Sequence, residues 1–175
     1  MHQDRHGIVQ VYTGDGKGKT TAAIGLAVRA AGAGLRVFFG QFCKGRPSSE
    51  HVALARFADL ITVRHCEGHE FIIGEPSEEH RAEAGEMLRA VREAMASGDY
   101  DIVVADELSV AVDLGLVKLT DVLDLIDARP ASVELILTGR NAHPALRKRA
   151  ELVTEMRAIK HPYDQGLPAR KGIDY

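Results

Sequence analysis

A glycine-rich stretch near the N-terminus, TGDGKGKTT at residues 13–21, constrains the fold of this chain more than any other part of its sequence. It follows the apolar run IVQVY and ends in Gly18-Lys19-Thr20, which is the second half of the phosphate-loop pattern G-x-x-x-x-G-K-[ST]. Thr13 stands where that pattern has its first glycine. The stretch predicts a strand, a phosphate-binding turn and a helix in direct succession.

Each residue type in this loop has an expected role in holding a triphosphate. The glycines let the backbone turn its N–H groups inward, and the start of the following helix adds the positive end of its dipole. Lys19 is expected to contact phosphate oxygens, and the Thr20 hydroxyl is expected to ligate Mg²⁺. The alternative is a glycine-rich turn with incidental lysines. The expected ATP-binding residues of the loop are Gly14, Asp15, Gly16, Lys17, Gly18, Lys19, Thr20 and Thr21.

A second motif supports the phosphate loop. The apolar run in DIVVADEL ends in Asp106 and Glu107. Two carboxylates at the tip of a buried strand are costly unless they meet a cation or water. Beside a phosphate loop, one of them is expected to hold Mg²⁺ together with Thr20, directly or through water. An exposed acidic turn is the alternative.

Short apolar runs alternate with helical patterns along the chain. Because the runs are continuously apolar, they predict strands that are covered on both faces, and the alternation predicts βαβ units. The sequence therefore predicts a single-domain, three-layer α/β fold of the P-loop NTPase (RecA-like) type with a mostly parallel central sheet. The predicted strands are 8–13, 35–41, 60–65, 101–105, 133–138 and 151–156, and the predicted helices are 19–33, 50–58, 78–97, 118–128 and 143–149.

Bulk properties argue against several classes of protein. The 175 residues suit one domain with a full-sized core. A formal net charge of −3 argues against a general nucleic-acid binder, and no apolar run reaches the ~18 residues of a membrane span. The polar N-terminus lacks a signal-peptide core. Cys43 and Cys66 form no CxxC pair, so we expect a reduced, cytoplasmic protein.

These motifs leave the type of phosphate chemistry open. The sequence has no N-K-x-D-type segment that would select guanine. A small-molecule kinase needs arginines over the transferred phosphate, and the basic cluster at 140–149 is either such a lid or a solvated helix face. No constellation of serine, histidine and aspartate, or of cysteine and histidine, indicates proton abstraction.

Six segments, in order, make the chain resemble a known enzyme family. They are YTGDGKGKTTAAIGLAVRAAGAG, QFCKG, VVADEL, ARP, LTGRN and LVTEMRAIKHPYDQGLPARKGIDY. They run from about Ile8 to Tyr175 and resemble the ATP:corrinoid adenosyltransferases of cobalamin synthesis and salvage. The resemblance implies transfer of the 5′-deoxyadenosyl group of ATP to Co(I) and release of inorganic triphosphate. It also implies a need for Mg²⁺ or Mn²⁺, an external electron donor such as a flavoprotein, and a homodimer.

The resemblance implies roles for residues on the ATP side. Lys17 and Lys19 would be the catalytic residues, because they would neutralise the charge that develops on the departing triphosphate. Arg29 corresponds to a family position near the nucleotide, and a surface ion pair is its alternative. Co(I) carries no proton to remove, so the reaction needs no general base.

Residues that follow strands are expected near the ligand crevice, because ligands in such sheets bind outside the carboxyl ends of the strands. Lys44 follows a predicted strand and is expected to bind the corrinoid. Arg140 and Asn141 follow another strand, so they either face the site or are turn residues. The polar tail at 160–175 is expected to pack beside the active site or a partner subunit.

The lower face of the corrin is expected to meet HCEGHEFIIGEP, residues 65–76. The family places an aromatic-containing loop under the ring, where it displaces the lower axial ligand. This chain has no tryptophan, so Phe71 is the expected wedge, while His69 would ligate cobalt or contact corrin amides. HCEGH is also a candidate metal cluster, although its spacing matches no standard zinc site.

Two rival functions stay open on the sequence alone. One is a P-loop ATPase or kinase that cleaves ATP at the γ-phosphate, and the other is a nucleotide-dependent module that binds a corrinoid. The sequence leaves three corrinoids open, namely cobalamin, cobinamide and cobyrinic acid diamide.

Overall fold

A parallel sheet forms the centre of the molecule in the computed structural model, which describes residues 6–44, 48–66 and 74–174. Within those ranges the sheet has six strands in the order β3-β2-β4-β5-β1-β6, and every neighbouring pair is parallel. The strands are β1 (Val9–Thr13), β2 (Val37–Gln41), β3 (Ile61–His65), β4 (Ile102–Asp106), β5 (Glu134–Thr138) and β6 (Leu152–Glu155). The predicted α/β fold with a parallel sheet is confirmed.

Helices connect the strands and cover the sheet. They are α1 (Lys19–Gly32), α2 (Ser49–Leu54), α3 (Glu78–Ala96), α4 (Leu108–Asp113), α5 (Leu119–Asp127) and α6 (Pro144–Arg149), with 3₁₀ turns at Ala55–Phe57 and Pro162–Gln165. The helix α3 begins where the sequence predicts, because the Ser77 hydroxyl accepts a hydrogen bond from the His80 amide and caps it. None of the described helices combines the length and the apolar character that a membrane crossing needs.

Two separate apolar clusters lie on the two faces of the sheet. Alternate residues of each strand point to opposite faces, so Val103 and Ala105 of β4 join one cluster and Ile102 and Val104 join the other. The first cluster contains buried residues of α3, α4, α5 and α6. The second contains buried residues of α1 and α2. This helix–sheet–helix arrangement confirms the three-layer architecture.

The helix α4 is the element that the sequence does not predict. Its sequence LSVAVD is short, apolar and rich in β-branched residues, so its pattern does not indicate a helix. The chain turns into it at Glu107, whose φ of 61° is left-handed, and Leu108 and Ala111 anchor it in the core. The predicted helix 50–58 is also corrected, because it ends as α2 at Leu54 and continues as a 3₁₀ turn.

Candidate active site

The segment that follows β6 supports the phosphate loop. The Gly16 amide donates a hydrogen bond to the Met156 carbonyl at 2.7 Å, and the Met156 amide donates to the Thr13 carbonyl at 2.8 Å. A Cβ atom on Gly14 would lie 2.4 Å from the Met156 carbonyl oxygen, and one on Gly16 would lie 2.7 Å from the Arg157 backbone. The glycines at 14 and 16 are therefore required by this close backbone approach.

The departure from the usual phosphate-loop pattern at Thr13 has a structural reason. Thr13 is the last residue of β1 and keeps strand geometry, and the left-handed conformation falls on Gly14, whose φ is 96°. The buried Thr13 hydroxyl accepts a hydrogen bond from the Ala142 amide at 3.1 Å. A threonine at this position therefore ties the start of the loop to the loop that follows β5.

The side chain of Lys19 lies back across the phosphate loop. Its ammonium donates hydrogen bonds to the carbonyls of Gly14 at 2.7 Å and Gly16 at 2.8 Å, and only 7% of the residue is exposed. Burial lowers the pKa of Lys19, while the nearby Glu107 carboxylate opposes that shift. The loop therefore holds a largely desolvated positive charge, which interacts more strongly with phosphate than a charge in bulk water does.

Asp106 lies at the end of β4, fully buried and hydrogen-bonded by three side chains. Its Oδ1 accepts from the Thr138 hydroxyl at 2.6 Å. Its Oδ2 accepts from the Gln41 amide at 3.0 Å and from the Thr20 hydroxyl at 3.2 Å. Burial raises the pKa of Asp106, although these three hydrogen bonds oppose the rise. A cation beside this carboxylate would favour its charged form.

The contact between Thr20 and Asp106 suits a magnesium site. The Thr20 hydroxyl uses its hydrogen toward Asp106, so both lone pairs of its oxygen stay free for a cation. No group of three or more histidine, cysteine, aspartate or glutamate side chains is arranged to hold a metal in the described ranges. Mg²⁺ is commonly held by one or two carboxylates together with substrate phosphates. The donor set fits that arrangement, with the nucleotide completing the coordination.

Glu107 adds a second carboxylate directly beside Asp106. Its amide donates a hydrogen bond to the Thr138 hydroxyl at 2.9 Å. Burial raises the pKa of Glu107, the neighbouring Asp106 raises it further, and the charges of Lys19 and Arg140 lower it. The two adjacent carboxylates create a negative potential at the end of β4 that favours a divalent cation.

The polar tail reaches the phosphate loop through Lys17. The Lys17 ammonium donates a hydrogen bond to the Ile173 carbonyl at 2.6 Å and forms an ion pair with the Asp174 carboxylate. Asp174 also accepts from the Arg170 amide at 3.0 Å and from its Nε at 3.1 Å. The hydrogen bond from Lys17, followed by those from Arg170, lowers the pKa of Asp174. The end of the tail therefore contacts the loop through Lys17, and its packing beside the active site or a partner subunit stays a prediction.

The remaining predicted ATP-side residues lie at different distances from the loop. Asp15 and Thr21 are exposed, the first within the loop and the second in the first turn of α1. Arg29 is exposed in the last turn of α1. At 1.5 Å per residue, that places Arg29 about 15 Å along the helix axis from Lys19. The structure does not bring Arg29 to the phosphate loop.

The predicted residues that follow strands divide into two groups. Arg140 lies near Lys19 and Glu107, since its positive charge lowers the pKa of both side chains. Lys44 forms an ion pair with Glu50 of α2, and its charge lowers the pKa of Asp106. Asn141 is an exposed turn residue with a left-handed φ of 53°, and its side-chain amide donates a hydrogen bond to Asp113 at 2.9 Å. Two predicted corrinoid-binding residues, His69 and Phe71, lie outside the described residues.

A cavity of about 490 Å³ lies between the end of β3 and α3. One of its lining residues, Cys66, is the last described residue before His69 and Phe71 in the sequence. Its lining combines charged and apolar side chains: Arg64, His65, Cys66, Ala82, Glu83, Glu86 and Met87.

Sequence reasoning does not find several residues that shape the site. Gln41 and Thr138 are buried partners of Asp106, and His51 is in turn a partner of Gln41. Met156 supports the phosphate loop. The one available signal is that Gln41 and Thr138 are polar residues that end two strands with apolar central residues.

Comparisons with known proteins point to one family. The family described as ATP:corrinoid adenosyltransferase BtuR/CobO/CobP matches residues 5–175. A corrinoid adenosyltransferase of Pseudomonas aeruginosa is 36% identical over 176 residues, which cover 99% of this chain and 86% of the relative. A corrinoid adenosyltransferase of Escherichia coli K12 is 35% identical over 179 residues, covering 99% and 88%. The corrinoid adenosyltransferase CobA of Salmonella typhimurium is 36% identical with the same coverage.

Proposed function

Because this chain belongs to the ATP:corrinoid adenosyltransferase family and is an enzyme of that class, we propose that it transfers the 5′-deoxyadenosyl group of ATP to the Co(I) of a corrinoid and releases inorganic triphosphate. The reaction would serve adenosylcobalamin synthesis or salvage. The observation that carries the proposal is the grouping of Lys19, Thr20, Asp106 and Glu107 around a phosphate loop, within a chain that matches the family over nearly its whole length.

The electron balance of the proposed reaction requires no general base. Co(I) supplies the electron pair of the new cobalt–carbon bond and becomes Co(III). The bond between the ribose C5′ and the α-phosphate oxygen breaks, and its electron pair leaves with the triphosphate. No proton is transferred, so the protein contributes by orienting the two substrates and stabilising the leaving group.

The described residues suit stabilisation of a triphosphate leaving group. Lys19 presents a buried ammonium beside the loop backbone, and Lys17 presents a second, exposed ammonium. Thr20, Asp106 and Glu107 would hold Mg²⁺ or Mn²⁺, which when bound supplies further positive charge to the phosphates. Positive charge placed in advance where negative charge develops is a major source of rate enhancement.

Product analysis tests the proposed reaction directly. In a mixture of enzyme, ATP, Mg²⁺ and chemically reduced corrinoid, we expect triphosphate and adenosylcorrinoid to form in a one-to-one ratio. Phosphorus NMR measures the triphosphate, and absorbance follows the light-sensitive cobalt–carbon product. A control without corrinoid should form neither product. Stoichiometric ADP and phosphate that form regardless of corrinoid would contradict the proposal and favour an ATPase.

Removing either carboxylate charge should raise the metal concentration needed for activity. We expect Asp106→Asn and Glu107→Gln each to raise the Mg²⁺ concentration for half-maximal rate by about tenfold or more, which is typical of losing a supporting group in a metal site. Initial rates over a Mg²⁺ titration measure the change.

Asp127→Asn is the matched control, because Asp127 forms an exposed ion pair with Arg149 at the end of α5, before β5 begins. Its Mg²⁺ curve should match that of the unmodified enzyme. If the curves of Asp106→Asn and Glu107→Gln also overlay it, these carboxylates do not hold the metal.

The corrinoid side, the partners and the compartment complete the proposal. Lys44, His69 and Phe71 are the proposed corrinoid contacts, with Phe71 as the wedge under the ring. The cavity between β3 and α3 supports a corrinoid position nearby, because its lining includes Cys66, the last described residue before His69 and Phe71 in the sequence. We further propose a homodimer that receives electrons from a flavoprotein. The free cysteines Cys43 and Cys66 suit a reducing, cytoplasmic setting.

A further inference from the structure

A line of hydrogen bonds leads from the proposed metal site to helix α2 through two residues that have no role in the proposed reaction. Gln41, the last residue of β2, is fully buried, and its amide Nε2 donates to Asp106 Oδ2 at 3.0 Å. On its other side, Gln41 Oε1 is hydrogen-bonded to His51 Nε2. His51 Nδ1 accepts from the backbone amide of Ser48 at 3.2 Å.

The donor and the acceptor of every hydrogen bond in this line follow from its last member, the backbone amide of Ser48. The Ser48 backbone N–H can only donate, so His51 Nδ1 must accept and the ring proton lies on Nε2. Because Nε2–H donates, it faces the oxygen of the Gln41 amide and not the nitrogen. The Gln41 nitrogen is thereby turned toward Asp106, where it donates to the carboxylate.

This direction matters because the side-chain amide of Gln41 has two orientations. With the amide reversed, its oxygen would face the Asp106 carboxylate and two acceptors would meet in a buried place, which is costly. The proton on His51 Nε2 favours the observed orientation. Asp106 Oδ2 then accepts from both Gln41 and Thr20, so its orientation toward a cation is set from two sides.

The surroundings of His51 keep its ring in place. The ring stacks on His65 of β3, with centroids 4.4 Å apart and planes 11° from parallel. Burial lowers the pKa of His51, and the neighbouring His65 lowers it further. Of the nearby charges, Glu50 raises this pKa and Lys44 lowers it. The neutral ring that the hydrogen bonds require is therefore the favoured one.

We propose that Gln41 and His51 are positioning residues of the metal site, which hold the Asp106 carboxylate in the orientation that binds the divalent cation with ATP. This inference rests on the metal role proposed for Asp106. Neither residue contacts the cation in this proposal. Each acts on it through the hydrogen bonds that end on Asp106.

Two substitutions at His51 separate this role from simple support of α2. In His51→Gln, the side-chain amide nitrogen takes the place of Nε2 and keeps a donor toward Gln41. In His51→Asn, the side-chain oxygen takes the place of Nδ1 and keeps the acceptor for the Ser48 amide, but the donor toward Gln41 is lost. Both variants lose the stacking on His65, so they form a matched pair.

The measurement is Mn²⁺ binding by the full chain with ATP present and no corrinoid, followed by the electron paramagnetic resonance signal of free Mn²⁺. We expect His51→Asn and Gln41→Met to weaken Mn²⁺ binding about 10–100-fold, as loss of an outer partner of a metal ligand typically does. His51→Gln should bind close to the unmodified protein. In an Asp106→Asn background, His51→Asn should cause no further loss, because its effect passes through Asp106.

Each other result counts against the proposal. If His51→Gln binds Mn²⁺ weakly and His51→Asn binds it normally, His51 only supports the start of α2 through its bond with the Ser48 amide. If both variants lose Mn²⁺ affinity equally and have a lowered melting temperature, the His51 ring contributes only packing. If neither variant loses Mn²⁺ affinity, His51 has no positioning role. If Asp106→Asn itself binds Mn²⁺ normally, the metal role of Asp106 fails as well. Adenosyl transfer is measured separately, so a failure of the proposed reaction would not be mistaken for any of these results.

Discussion

Replacement of Lys19 by alanine should lower turnover by about 10²–10³-fold, the loss that follows removal of one preorganised donor from a charge-stabilising site. The Lys19 ammonium is largely buried and already held by two loop carbonyls, so little reorganisation is needed when charge develops on the triphosphate. The measurement is the initial rate of adenosylcorrinoid formation from chemically prepared Co(I), with ATP and Mg²⁺ saturating.

Lys17→Ala is the control for this prediction. Its ammonium is exposed and shared with the Asp174 carboxylate, so solvent screens its charge and its loss should cost less. Turnover of Lys19→Ala at the unmodified rate would refute the catalytic role of Lys19. Equal losses in the two variants would show that burial does not distinguish the two lysines.

Gly14→Ala should lower kcat/KM by about 10²-fold, the scale of loss that follows a misplacement of reacting groups by about 1 Å. Two effects act together. Gly14 has a φ of 96°, which costs a residue with a side chain about 1–3 kcal/mol. The added methyl group would also lie 2.4 Å from the Met156 carbonyl oxygen, so either the loop or its support must move. ATP titration calorimetry and steady-state rates measure the change.

Gly25→Ala is the matched control, because Gly25 lies inside α1 and a methyl group added there would have no neighbouring atom within 4 Å. The same substitution there should raise the free energy of unfolding by roughly 0.5–1 kcal/mol, since glycine is unfavourable in a helix. Activity should be unchanged. If Gly14→Ala binds ATP and turns over like Gly25→Ala, the close approach to Met156 does not constrain the loop.

Local patterns are sufficient to predict the fold and the succession of strand, glycine-rich turn and helix at residues 9–32. The continuous apolar runs predict the four central strands β1, β2, β4 and β5 to within about two residues, because strands buried on both faces have a distinctive pattern. The expectation that all strands are covered on both faces is wrong for the two edge strands, since β6 is exposed along its whole length and β3 at alternate residues. The loop is predictable because its roles depend on residues adjacent in sequence. The helix α4 cannot be predicted in this way, because its six mostly apolar residues are too few to show a helical period. Only packing determines its conformation.

Contacts between distant parts of the sequence cannot be predicted in the same way. The link from Gly16 to Met156 and the link from Asp106 to Gln41 and His51 join separate elements. The spacing of residues along a single sequence does not indicate which distant residues contact each other. Thr13 is an instructive case, because it departs from the expected pattern and only the structure shows that its hydroxyl has a partner in Ala142.

The support that Met156 gives to the phosphate loop has a consequence for biosynthesis. The ribosome makes the loop early and makes β6 and Met156 only after most of the other described elements. A nascent chain therefore carries the loop residues proposed to contact phosphate before it carries the Met156 backbone that supports them. A ligand stabilises only a state that binds it, so under the proposed function ATP would favour the nearly finished protein over earlier intermediates. We therefore expect chains that end before β6 to gain little stabilisation from ATP.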